Sequence, residues 1–494
     1  MMRKLPSFLS VCLPALLLAG CSGSGADETV NVVLIGDSGS PFQRGVALTP
    51  QAGYLQNATA EGLVSFSATG EIIPAIAERW IVTDDGLSYI FRLRNSNWTS
   101  GEPIEAGDIR ARLLANIEKL EATALGHDLA KVTDIREMTG RVIEIQLASP
   151  MPDFLRLLAQ PELGFARDEA GAGPMISAQE QSKLEVALSP LPPEARGFPA
   201  RRNWEDLVRP VIVRALPASA AVKAFSDGDA DVVLNGRVAN LPLSDLGPLS
   251  RANIRLDAVQ GVFGLAARNE EGVLSAPNLR RALSMAIDRD DLMTPFNIGG
   301  WLPSNTAVPR GVWTAIVPEA PSWTALPLEQ RRSIAASAVN AWKSQNAGGA
   351  VVRVAMPSGP GSEQLFARIK RDWETIGVEA QLVPSNEKTA DLVLLDRTAL
   401  FASPRWFLNQ FHCEIRPGPC AELADGLVEQ SLQEVNPRLK AEMLAQAELE
   451  LEDAAIFIPF GAPIRWSLVR SDVAGFEDNI WGLHPLFPLS GSPN

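Results

Sequence analysis

The sequence predicts a multidomain α/β protein built from mixed sheets flanked by helices. Two patterns point there: alternating apolar strands dominate the first third, and strand–helix–strand order recurs in the second half. The length of 494 residues, 46% of them hydrophobic, suits two to four structural domains rather than one.

In chain order, Val30 to Ile35 is an apolar run that Gly36-Asp37 ends. Leu87 to Leu93 alternates, with Tyr89, Phe91 and Leu93 on one face, and Val142 to Leu147 alternates in the same way. Proline-rich stretches at 189–199 and 317–328 read as loops. Leu279, Ala282, Leu283, Ala286 and Ile287 share one face of a helix, with Asn278 as its expected cap. Val351 to Ala355 reads as a strand. Ser362 is expected to cap a helix carrying Leu365, Phe366, Ile369, Trp373 and Ile376, which Gly377 stops. Val378, Ala380 and Leu382 alternate as a strand, and Leu392 to Leu395 is another apolar run, so a parallel sheet is expected here. Leu439 to Leu451 reads as a helix and Ile456 to Phe460 as a buried strand.

The first twenty residues have the form of a secretory signal. Arg3 and Lys4 precede an apolar run, Leu5 to Leu18, that is too short to span a bilayer comfortably. Leu18-Ala19-Gly20-Cys21 resembles the bacterial lipobox, which implies cleavage before Cys21 and lipid on its thiol. Residues 21–28 are then a tether, and the lipid is the expected anchor in a bacterial membrane, facing the periplasm. Loss of Arg3 and Lys4 takes the formal net charge from −14 to −16. So acidic a chain, without a basic patch, argues against nucleic acid. Of the four cysteines, Cys12 and Cys21 are accounted for by the signal and the lipid. Cys413 and Cys420, an even pair in an oxidising compartment, suggest a disulfide contributing roughly 2–3 kcal/mol. His412 stands beside Cys413, but three potential ligands without a fourth are weak support for a metal, and no metal or cofactor is expected.

An ordered set of segments resembles the bacterial extracellular solute-binding proteins of the oligopeptide, dipeptide and nickel ABC importers (family 5). It begins with Glu61-Gly62-Leu63-Val64, then Pro74 to Trp80, then Asp84-Asp85-Gly86 through Arg94, and Trp98-Thr99-Ser100-Gly101-Glu102-Pro103. Gly171-Ala172-Gly173-Pro174, Asp227 to Asp231, Arg281 to Arg289 and Ile456 to Phe460 follow in the family's order. The resemblance implies a two-lobed periplasmic-binding-protein clamshell with an extra third domain. Lobe I is expected at 29–60, 172–261 and 467–494, the extra domain at 61–171, and lobe II at 262–466, with crossings near 261 and 466. It also implies a monomer that captures a small solute, a peptide or peptide-like molecule, between closing lobes and delivers it to permease subunits without catalysis.

One departure bears on the ligand. In peptide-binding relatives a crevice stretch reads D-x-x-x-x-G-W-x-A-D-Y-x-x-P, and its second Asp pairs with the peptide's amino group. Aligned from Asp391, this sequence keeps Ala399 and Pro404, puts Asp396-Arg397 for Gly-Trp, and puts Leu400 for the amine-binding Asp. An ammonium taken from water needs a partner, which leucine cannot supply. Asp396, Arg397, Thr398, Leu400, Arg405 and Trp406 are therefore the candidate ligand-binding residues. Asp396 and Arg397 read equally well as an ion pair with each other, Trp406 as core, and Arg405 as a surface cation. Tyrosine, common in the crevices of relatives, occurs only as Tyr54 and Tyr89.

Two other readings stay open. One is a clamshell lipoprotein that senses or scaffolds without transport. The other is a GDSL-type hydrolase using Ser38 of Gly36-Asp37-Ser38. None of the three histidines has an acidic residue three positions before it, which leaves Ser38 without the expected base.

Overall fold

The computed structural model describes residues 29–491 except 44, 46, 139, 168–169, 179–183, 246 and 248–252. The signal, Cys21 and the tether lie outside the described residues. No described helix is long and apolar enough to cross a membrane.

Val30–Ile35 becomes the centre of a seven-stranded sheet because both its faces are apolar and buried. The strand order is Met175–Ser177, Glu185–Pro190, Val211–Leu216, Val30–Ile35, Val232–Arg237, Arg465–Val469, Ile254–Asp257. The middle three strands run parallel and the outer pairings are antiparallel. A second sheet has five strands in the order Glu379–Pro384, Val351–Met356, Leu392–Thr398, Gly261–Ala267, Phe457–Gly461. The expected parallel arrangement holds for the first three of these. Gly261–Ala267 pairs antiparallel with both neighbours, so the sheet is mixed. The two sheets centre the two lobes.

The chain passes between them at 258–260 and 462–464, each a three-residue connector from one sheet to the other. Backbone approach is close at the first: a Cβ on Gly261 would sit 2.0 Å from the Arg397 carbonyl oxygen, so only glycine fits.

The third domain is a four-stranded antiparallel sheet, Ala77–Val82, Ser88–Leu93, Val142–Leu147, Val132–Glu137, packed on the helix Ala106–Leu120. The alternation read at 87–93 is realised: Tyr89, Phe91 and Leu93 point inward, and the Tyr89 hydroxyl donates to the Met151 carbonyl at 2.8 Å. This domain shares one apolar core with the lobe II helices Pro404–Asn409, Glu422–Gln433 and Pro437–Ala454. Buried polar contacts cross the same seam. Ser149 Oγ donates to the Leu432 carbonyl at 2.6 Å.

Two expected helix caps are corrected. The helix around Leu283 begins at Pro277 with Ala276 as N-cap, and the helix around Ile369 begins at Pro360 with Gly359 as N-cap. Asn278 and Ser362 therefore lie inside the first turns. In both cases proline takes the first helical position, where its missing N–H costs nothing and its fixed φ suits the helix. Gly377 stops the second helix with φ +77°.

Candidate functional site

The lobes and the third domain enclose a cavity of about 720 Å³, within the range of small-ligand sites. Five of the six candidate residues line it: Asp396, Arg397, Thr398, Leu400 and Trp406. They do so because Leu392–Thr398 is an inner strand whose C-terminal end emerges at the crevice, and Pro404–Asn409 starts just beyond it. Trp406 is both wall and core, at 3% exposure. The sixth, Arg405, lies outside this wall and is no surface cation. It is buried in the seam with the third domain, where its Nε donates to Asp128 Oδ1 at 2.8 Å and its Nη2 to the His127 carbonyl at 2.7 Å. Burial pushes the Asp128 carboxyl up to about 6, with Arg405 pulling the other way.

Asp396 and Arg397 do not pair with each other. They are neighbours on a strand, so their side chains point to opposite faces. Asp396 Oδ1 accepts from Arg465 Nη1 at 2.6 Å, and Arg237 Nη1 stands 3.9 Å from Oδ2. Arg237 also donates to the Asp396 carbonyl at 3.0 Å. This trio joins the strand ends of both lobes, and its carboxylate is occupied by protein cations. A second lining carboxylate, Asp257, is occupied too. His484 Nε2 lies 2.8 Å from its Oδ2, and the Asn479 N–H donates to its Oδ1 at 3.1 Å.

Two lining charges are left uncompensated. Arg397 is exposed toward the cavity and its Nη1 donates to a neutral acceptor, Gln410 Oε1, at 2.9 Å. Among the described residues it has no carboxylate partner. Glu162, half-buried after Pro161 in the third domain, has no cationic partner among the described residues, and burial raises its carboxyl above the usual range. The remaining wall is largely aromatic and aliphatic, with Tyr54, Phe66, Trp466 and Trp481. Burial, then the nearby Asp257 carboxylate, keeps the Tyr54 phenol protonated.

Sequence reasoning missed Glu162, Arg237, Asp257 and Arg465. They come from separate segments and no spacing links them. Cys413 and Cys420 form a disulfide, with Cα atoms 5.3 Å apart, in the loop after Asn409. Ser38 lies exposed in the turn after the first strand, outside the cavity. Of the three histidines, His127 and His412 pack against each other and His484 pairs with Asp257.

A family model described as bacterial extracellular solute-binding proteins, family 5, matches residues 71–182 and 204–414. The chain belongs to this family. Its members are solute-binding proteins, and the two-lobed fold with a third domain is theirs. A probable di/tripeptide-binding protein of Pseudomonas aeruginosa is 22% identical over 484 residues, covering 85% of this chain and 87% of that protein. A probable deoxycholate-binding periplasmic protein of Escherichia coli is 34% identical over 121 residues, but that match spans only 21% of this chain and 23% of the relative. Haemophilus influenzae OppA, solved in complex with the peptide RPPGFSPFR, superposes with a TM-score of 0.77 at 16% identity, over 94% of this chain and 99% of that one. At that identity the likeness speaks for the fold.

Proposed function

We propose that the protein is the solute-capturing lipoprotein of a peptide-type ABC importer, anchored through Cys21 on the periplasmic side of a bacterial membrane, monomeric and without catalytic activity. The three-part division into lobe I, extra domain and lobe II is part of this reading. Its ligand is a peptide or peptide-like molecule with both termini free, held between the lobes and passed to permease subunits. The di/tripeptide-binding relative and the peptide complex of OppA favour this ligand class.

The observation that carries the reading is the pair of uncompensated, opposite charges on one cavity wall set, Arg397 and Glu162. A planar guanidinium with free donors takes a carboxylate in a bidentate grip. A desolvated carboxylate without a cation takes an ammonium. Glu162 thereby supplies what Leu400 no longer does. Asp396 contributes by holding Arg237 and Arg465 at the junction of the lobes, and Trp406 by packing ligand side chains.

Calorimetric titration with tri- and tetrapeptides, each with free, acetylated or amidated termini, tests this. Arg397→Met weakens free-acid peptides by about 10–100-fold and leaves amidated peptides unchanged, as expected for a charge-assisted hydrogen bond. Glu162→Gln does the same for the amino end. Equal loss for free and blocked peptides, or no peptide binding at all, refutes the assignment.

A further inference from the structure

Outside the ligand cavity, the seam between the third domain and lobe II brings together two histidines that are far apart in the sequence. His127 lies in the helix Ala124–Leu129, and His412 follows Pro404–Asn409. Their rings pack against each other, tilted, with centroids 4.0 Å apart and an interplanar angle of 31°. His127 Nε2 is buried, and no described group hydrogen-bonds to it. It faces Glu414 Oε2 at 3.9 Å. His412 Nε2 lies 3.2 Å from Glu429 Oε1. Donor atoms of His127, His412 and Glu414 all fall within 4.8 Å of one another.

We propose that His127, His412, Glu414 and Glu429 form a site for a zinc-class divalent cation that ties the third domain to lobe II. Two imidazole nitrogens and two carboxylate oxygens are a complete tetrahedral donor set for Zn²⁺, with bonds of about 2.0–2.2 Å. Such bonds hold neighbouring donors roughly 3.4 Å apart. The His412–Glu429 separation of 3.2 Å is already near that value. The His127–Glu414 pair, at 3.9 Å, and the two imidazole nitrogens, within 4.8 Å, close to it on binding by side-chain rotation, with Glu429 joining through its contact with His412. The two carboxylates balance the ion's charge. The site's frame is cross-linked on the lobe II side. The Cys413–Cys420 disulfide closes the loop that carries Glu414, and the Cys413 N–H donates to Asp425 Oδ2 at 2.9 Å. When His412 coordinates through Nε2, its ring proton sits on Nδ1, which now accepts from the Glu414 N–H at 3.3 Å. The ring must then turn so that Asp425 Oδ2, now 4.0 Å away, closes to hydrogen-bond distance and accepts that proton. Arg405, which donates to the His127 carbonyl, is a nearby cation working against the ion, and Asp128 already partners it.

A bound ion would fasten the same seam that Asp128–Arg405 and Ser149–Leu432 hold, and so favour the arrangement in which the third domain rests on lobe II.

The test is a zinc titration of chelator-stripped protein by calorimetry, paired with cobalt(II) absorption. One Zn²⁺ per chain is expected, and the cobalt complex shows the intense visible bands of a tetrahedral site, which zinc abolishes. His127→Ala weakens zinc by about 100-fold, and Glu429→Gln, on an exposed carboxylate whose loss leaves the fold intact, by about 10-fold. Arg397→Met leaves zinc binding unchanged, separating this site from the ligand cavity. Mg²⁺ gives no heat. The absence of saturable zinc uptake, or a His127→Ala variant that binds like the parent, overturns the proposal, as does equal response to Mg²⁺. If His127→Ala unfolds, as circular dichroism would report, unaltered zinc affinity in Glu429→Gln overturns it instead.

Discussion

Glu448→Gln should stabilise the fold at pH 8 and have little effect at pH 5. Glu448 lies in the helix Pro437–Ala454 at 2% exposure, and its Oε1 accepts the Val308 N–H at 2.8 Å. Burial pushes its carboxyl from 4.5 up to about 7. One turn on, burial and then the Glu448 and Asp453 carboxylates push Glu452 up to about 8. Below 4.5 Glu448 is protonated in both the folded and the unfolded chain, and its burial carries no charge. Above about 7 it is ionised in both, and the folded state bears the full desolvation cost. The parent therefore loses stability as pH rises through that window, by about 3 kcal/mol. Glutamine keeps the acceptor for Val308 but turns an NH₂ toward Trp313, a second donor to this carboxyl, at a cost of about 1 kcal/mol. The expected net effect is a gain of about 2 kcal/mol at pH 8 and a value within about 1 kcal/mol of the parent at pH 5. Urea denaturation at the two pH values measures it. Equal effects at both, or destabilisation at pH 8, refutes the reasoning.

Three further outcomes follow from the same contacts. Arg405→Met strands the buried Asp128 carboxylate and should cost about 3–5 kcal/mol at pH 8, with a smaller loss at pH 5 where Asp128 is protonated; urea midpoints at both pH values check this. The paired change Cys413→Ser and Cys420→Ser should destabilise by roughly 2–3 kcal/mol, and a reductant should lower the melting temperature of the parent but not of the variant. Gly261→Ala drives a methyl into the Arg397 carbonyl and should cost on the order of 1–3 kcal/mol while weakening peptide binding, because the strand that presents Arg397 must shift; denaturation and titration together report both.

Much of the fold was legible because its signals are local. Strand bounds at 30–35 and 142–147 followed from runs and alternation alone, and they coincide with the elements observed. The helix starts were misread at Pro277 and Pro360, where a nearby polar residue outweighed proline's preference for the first turn. The antiparallel course of Gly261–Ala267 was invisible, since strand direction depends on partners from distant segments. The site divides in the same way. The stretch around Asp396 was found because a contiguous motif marks it. Yet its chemistry was misjudged, because Arg237 and Arg465, which neutralise Asp396, reach it only through the fold. Glu162 carries no motif. Its significance arises from a desolvated position facing the cavity, which pattern alone does not encode. The tilted His127–His412 ring contact is a further product of the seam between domains.

The most direct test of the central claim is the identity of what the cavity holds when the protein leaves its native compartment. The chain is secreted into the periplasm in soluble form, beginning at Ser22, purified without denaturant, then unfolded, and the released small molecules are identified by mass spectrometry. The account predicts a near-stoichiometric set of short peptides with free amino and carboxyl termini, lost on Arg397→Met. An empty cavity that also fails to take up free-terminus peptides would contradict it, as would a stoichiometric solute lacking a carboxylate.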